Sequence, residues 1–160
     1  LAVALAQGGQ VVHRGAPSGR DAGRDLGVQD GGLVLVRQAD WRLVRALDTP
    51  AFPATYRVIW NTHVAEWTDL DVEQRRRCMD AVSQVEVLMR EHLAPTKINL
   101  ASLGNVVAHV HWHVVARFDW DSHFPAPVWA APLRSIDETQ QAALGARLPA
   151  LDMALKARWA

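Results

Sequence analysis

The sequence predicts an α+β domain: an antiparallel sheet of about five strands, a long helix and a C-terminal helix. Three observations point there. Short β-branched and aromatic runs bounded by turn residues occupy residues 33–60, an apolar stripe at steps of three and four follows Asp71, and apolar residues alternate with histidines inside residues 106–118.

The elements follow in order. LVLVRQ (Leu33 to Gln38) and WRLVRAL (Trp41 to Leu47) are apolar runs separated by Ala39-Asp40, the pattern of a two-strand hairpin. TYRVIW (Thr55 to Trp60) reads as a third strand, bounded upstream by Asp48-Thr-Pro and Pro53. From Asp71 the period changes, and Cys78, Val82, Val85, Met89 and Leu93 fall on one face of a helix. Asp69 or Asp71 can cap its start, Pro95 stops it, and the charge run Glu73–Arg77 reads as its solvated face. KINLASLG (Lys97 to Gly104) and VVAHVHWHVVARF (Val106 to Phe118) read as two strands broken at the Gly104-Asn105 turn signal. A proline-spaced stretch follows. Residues 135–160 then read as helix, interrupted near Pro149, with Leu144, Leu148, Leu151 and Leu155 turned inward.

Composition narrows the function classes. At 160 residues, 49% hydrophobic, the chain has apolar material for one core, so a second independent domain is not expected. Residues 1–32, rich in Gly, Arg and Asp, read as a disordered or misannotated leader; 33–133 read as the domain and 134–160 as a helical extension. The opening LAVALAQ lacks a basic flank and is short for a signal or a span; because residue 1 is Leu, truncation and the tail of a lost signal stay open. Lys+Arg and Asp+Glu both count 17, so neither a nucleic-acid surface nor a membrane-binding basic face is expected, and any phosphate affinity must be local. One cysteine, Cys78, excludes an internal disulfide and a Cys-rich zinc module, which suits a reducing, cytoplasmic compartment.

The most informative stretch is His109-Val-His111-Trp-His113-Val-Val. On a strand, residues at period two share a face, so the three imidazoles form a row while Val110, Trp112 and Val114 point the other way to pack. Three protonatable rings buried without a task would incur a desolvation cost that Val or Thr avoids. A lone histidine such as His63, His92 or His123 reads as structural. A metal site is the rival reading for the triplet. At about 3.3 Å rise per residue, the outer two Cα atoms stand roughly 13 Å apart, too far to share one ion comfortably, although an adjacent pair plus a ligand from elsewhere stays open.

The pattern His-φ-His-φ-His-φ-φ, with φ apolar, resembles the signature of the histidine-triad (HIT) superfamily, and the likeness extends over roughly residues 33–130. Gly104-Asn105 resembles a Gly-Gln pair before the first histidine, Arg117 follows the last at the usual offset, Asn99 sits near the family's strand amide, and Asp48 near the residue that meets ribose. Val106 replaces a common Ser or Thr, Asn105 a common Gln, Ala116 a common Pro, and Tyr56 stands where many members have His.

The resemblance implies a HIT-like fold, a homodimer, and hydrolysis or transfer at the α-phosphorus of a purine nucleotide through a nucleotidyl-histidine. The bond cleaved would be a dinucleoside polyphosphate anhydride or a nucleoside phosphoramidate. His111, with a partner on each side, is the expected nucleophile; His113, as an imidazolium, serves the leaving atom; His109 orients the row. Asn99 and Asn105 are expected to donate to phosphate oxygens and Asp48 to accept from ribose hydroxyls. No protein-held cofactor or metal is expected, although free Mg²⁺ can accompany the substrate. A non-catalytic nucleotide sensor and a metal-dependent β-protein are the alternatives.

Overall fold

A computed structural model describes residues 31–160. The leader expected over 1–32 therefore lies outside the described residues except for Gly31 and Gly32. Five strands, β1 (Gly32–Arg37), β2 (Trp41–Ala46), β3 (Thr55–Trp60), β4 (Lys97–Ala101) and β5 (His111–Arg117), form one antiparallel sheet in the order β1-β2-β3-β5-β4. Helix α1 (Val72–Leu93) lies between β3 and β4 in sequence, and α2 (Glu138–Arg158) follows β5. The fold is α+β, as expected.

Alternation assigns the two faces of the sheet. Leu43 of β2, Tyr56, Val58 and Trp60 of β3, and Val114 and Ala116 of β5 are buried in one core with the stripe Cys78, Val82, Val85, Met89 and Leu93 of α1. Trp112 packs on that face too, edge-on to Trp67 at 5.3 Å. Asp71 caps α1 by accepting from the Gln74 N–H while the Gln74 side chain returns to the Asp71 N–H, both at 2.8 Å. At the other end Ala94 takes a left-handed conformation ahead of Pro95.

Two expectations are corrected. Helix α2 starts at Glu138 and runs unbroken through Pro149 to Arg158. Leu144 and Leu148 on one side of the proline and Leu151 and Leu155 on the other are all buried in the core that α1 joins, so packing holds both halves in line across the missing N–H. A second anchor is polar: Asp152 accepts from the Tyr56 hydroxyl at 2.9 Å and lies 3.0 Å from Arg45 Nε. The second correction concerns the last strand, which begins at His111 and not at Val106; residues 102–110 form an irregular connection from β4. Gly104 has φ +78 there, a conformation that glycine adopts without strain. Among the described residues no helix is long and apolar enough to cross a membrane.

Candidate active site

The sheet face opposite the helices carries the histidines. In the β3–β5 register, Arg57 stands beside His113 and Ile59 beside His111. His109 precedes the strand, yet the ladder continues to it in another form: the Trp60 N–H donates to the Val110 carbonyl at 3.1 Å and the Val110 N–H to the Val64 carbonyl at 2.8 Å. The three rings are thus presented by a strand end and its approach, not by one extended strand.

Main-chain carbonyls, which only accept, assign the ring protons. His111 Nδ1 lies 2.8 Å from the His109 carbonyl and must donate to it, which leaves Nε2 with its lone pair. That Nε2 is 3.0 Å from His113 Nε2, so in the neutral pair His113 carries the proton between them. His109 Nε2 donates to the Trp60 carbonyl at 2.6 Å, which leaves its Nδ1 as an acceptor 3.3 Å from His63 Nδ1. His63 also stacks on His109, with ring centroids 5.5 Å apart. Read alone in the sequence His63 looked structural; the signal that would have found it is its place just after β3, the strand that pairs with β5.

Burial, with contributions from His111 and Arg57, holds His113 down at about 4, and Asp48 opposes the shift only in part. In the free protein near neutral pH, burial therefore favours the neutral imidazole at His113, with its proton on Nε2. His109 is also lowered, by burial first, with the bond to the Trp60 carbonyl acting the other way.

A cleft of about 630 Å³ brings together His109, His111, His113, Asp48 and Asn105. Asp48 faces it from the end of β2 and is paired with Arg57 Nη2 at 2.7 Å. Gly31, at φ +67, lies against that pair: a Cβ there would stand 2.8 Å from Asp48 Oδ2 and 3.1 Å from Arg57 Nη1. Asn105 is an exposed residue of the 102–110 connection. Asn99 is placed apart from these, on β4, in a second cavity on the other side of His113. Its Oδ1 accepts from Arg117 Nη1 at 2.8 Å.

Arg117 is itself buried, held by Asp121 at 2.8 and 3.0 Å and donating to the Ala126 carbonyl at 3.0 Å. Asp121 also accepts from the N–H groups of Phe118, His123 and Phe124. That arginine holds the Asp121 carboxyl below its ordinary range together with these N–H groups, against the opposing effect of burial. Sequence reading missed Arg42 and Arg57, which line the histidine cleft. The available signal was alternation: Arg42 and Arg57 stand next to the core residues Leu43 and Val58, so they fall on the opposite face, where the register sets Arg57 beside His113 and Arg42 beside Ile59. Among the described residues, no group of three His, Cys, Asp or Glu side chains is placed to hold a metal ion.

Comparison with known proteins agrees with this geometry. A family model described as HIT domain matches residues 34–120. No curated protein sequence matches the chain. Among solved structures, a histidine triad protein from Marinobacter aquaeolei VT8 is similar at 26% identity and a TM-score of 0.61, over 80% of this chain and 93% of that one. One from Bradyrhizobium japonicum is 25% identical with a TM-score of 0.59, over 76% and 92%. A third, from Sinorhizobium meliloti 1021, is 18% identical with a TM-score of 0.59, over 79% and 95%, and bears on the fold alone.

Proposed function

The chain belongs to the HIT family, and from that premise we propose that it is a nucleotide hydrolase or transferase working at an α-phosphorus, with His111 as nucleophile. The observation that carries the proposal is the His111 Nδ1–H bond to the His109 carbonyl, which leaves an unprotonated Nε2 in the cleft. In the first step that lone pair attacks phosphorus, and the bond to the leaving oxygen or nitrogen breaks with its electron pair on the departing atom. For that departure His113 acts as an imidazolium, a state that the anionic phosphate beside it favours: it gives its Nε2 proton to the leaving atom and is left neutral with its proton on Nδ1. In the second step water attacks the nucleotidyl-histidine and gives its proton to His113, and the phosphorus–nitrogen bond breaks with its electrons returning to His111 Nε2. Asp48 accepts from ribose hydroxyls, Asn105 and Asn99 donate to phosphate oxygens, and His109 fixes the row. The substrate is a purine nucleotide carrying either a phosphoanhydride or a phosphoramidate. Free Mg²⁺ shields a polyphosphate where there is one, and the protein holds no metal.

Two further parts of the reading concern the assembly. The protein works as a homodimer, a reading supported by the outer edge of β4, unpaired among the described residues, with its exposed Leu100, and it works in the cytoplasm, a reading supported by its single cysteine, Cys78.

The test is intact-mass detection of a nucleotide adduct after quenching with a panel of nucleotides. An adduct in the native protein that disappears in His111→Asn supports the mechanism; turnover by that variant at the native rate refutes it. Protein stripped of metal should still cleave a nucleoside phosphoramidate. Total loss restored by zinc alone would move the chemistry to a metal.

A further inference from the structure

Arg57 connects two parts of the histidine cleft. On β3 it stands opposite His113, and side chains directly opposite across antiparallel strands have Cβ atoms about 5 Å apart. From there its Nη2 donates to Asp48 Oδ1 at 2.7 Å. In the reading above Asp48 meets the ribose and His113 the leaving atom. What joins a ribose to the leaving atom is the phosphoryl group, and the side chain that neighbours both contacts is Arg57. Arg42, the other guanidinium lining the cleft, stands beside Ile59, one strand farther from the triad.

From this placement we infer that Arg57 reads the negative charge of the α-phosphate while its partner Asp48 reads the sugar. The inference rests on nucleotide binding as proposed above. The charge balance of the cleft supports it: among the described residues its lining holds two guanidiniums and one carboxylate. The Asp48 side chain is 52% exposed against 14% for Arg57, so water screens the carboxylate more than the guanidinium. Burial disfavours protonation of His113 and His109 in the free protein, so an arriving phosphate first meets the permanent charge of arginine. Coulombic attraction acts through space and does not require an unused N–H. The backbone of Gly31 packs against both members of the pair, leaving no room for a Cβ, and so limits how far the guanidinium can swing away.

The experiment measures, by calorimetry, the affinities of adenosine and adenosine 5′-monophosphate for the native protein, Arg57→Gln and Arg57→Lys. Position 57 lies on the sheet face opposite the helices and outside the core, so both variants are expected to fold, as melting curves would show. Native protein is expected to bind the monophosphate at least about tenfold more tightly than the nucleoside. Arg57→Gln should weaken the monophosphate by about tenfold and leave adenosine within about twofold. Arg57→Lys keeps the charge and should recover the monophosphate to within about threefold of native. If Arg57 served only to hold Asp48 in place for the ribose, Arg57→Gln would weaken both ligands by the same factor, and that result overturns the inference. Monophosphate binding that Arg57→Gln leaves intact, or equal native affinity for the two ligands, overturns it too, with the nucleotide reading still standing. Failure of the native protein to bind either ligand, with guanosine and its 5′-monophosphate failing as well, overturns the nucleotide reading and the inference together.

Discussion

A histidine that donates through Nδ1 to a carbonyl exposes Nε2, and this one contact decides what His111 can do. His111→Asn keeps a similar volume but cannot form the phosphoramidate, so turnover is expected to fall at least about a thousandfold with folding unchanged, read by steady-state rates beside a melting curve. His113 should stay neutral far below the usual imidazole range, since its folded value is about 4. The unfolded chain, with an ordinary value near 6.5, binds that proton first as pH falls. Stability from this group is therefore fully present above about 6.5 and is lost as pH drops toward 4. Nitrogen-15 NMR of the rings should show one imidazole still protonated only at Nε2 at about pH 5; titration of all the histidines near the ordinary value would contradict the assignment.

At the level of elements, strand and helix types were legible because burial is one-sided and leaves a period in the residues. Leu43, Val58 and Val114 mark the core face by alternation, and Cys78 to Leu93 mark it by helical spacing. What the period could not reveal was where a strand stops. Val106 and Val107 look like strand residues but are exposed, since beyond His111 neither neighbour continues a regular ladder against them. Pro149 misled in the opposite direction, because a local breaker signal contains nothing about leucines buried from a distance. The proline ring is exposed, so Pro149→Ala should restore a helical hydrogen bond without disturbing the core. Allowing for the entropy that proline removes from the unfolded chain, the gain is expected to be about 2 kcal/mol, seen as a higher denaturant midpoint. Unchanged stability would mean that the helix already accommodates the ring at no cost.

Across the whole molecule, one core serves the sheet and both helices, and the Tyr56–Asp152–Arg45 contact fastens α2 to the face opposite the histidines. Burial and the Asp152 carboxylate hold the Tyr56 hydroxyl far above its ordinary value, so it remains a donor throughout the working range of pH. Asp152→Ala strands a buried hydroxyl and leaves Arg45 without its carboxylate; the expected loss is about 3 kcal/mol in chemical denaturation, with the site's nucleotide preference unchanged. The site was less legible than the fold. The triplet announced itself, but His63, Arg42 and Arg57 reach it through strand pairing, which no short motif encodes. The ring protons of the triad were harder still to foresee, because their anchors are the carbonyls of His109 and Trp60, atoms that every residue type possesses. No point substitution can delete a carbonyl. The tautomer of His111 is therefore inherited with the path of the backbone rather than with any side chain, and a lineage can drift at position 109 without forfeiting it.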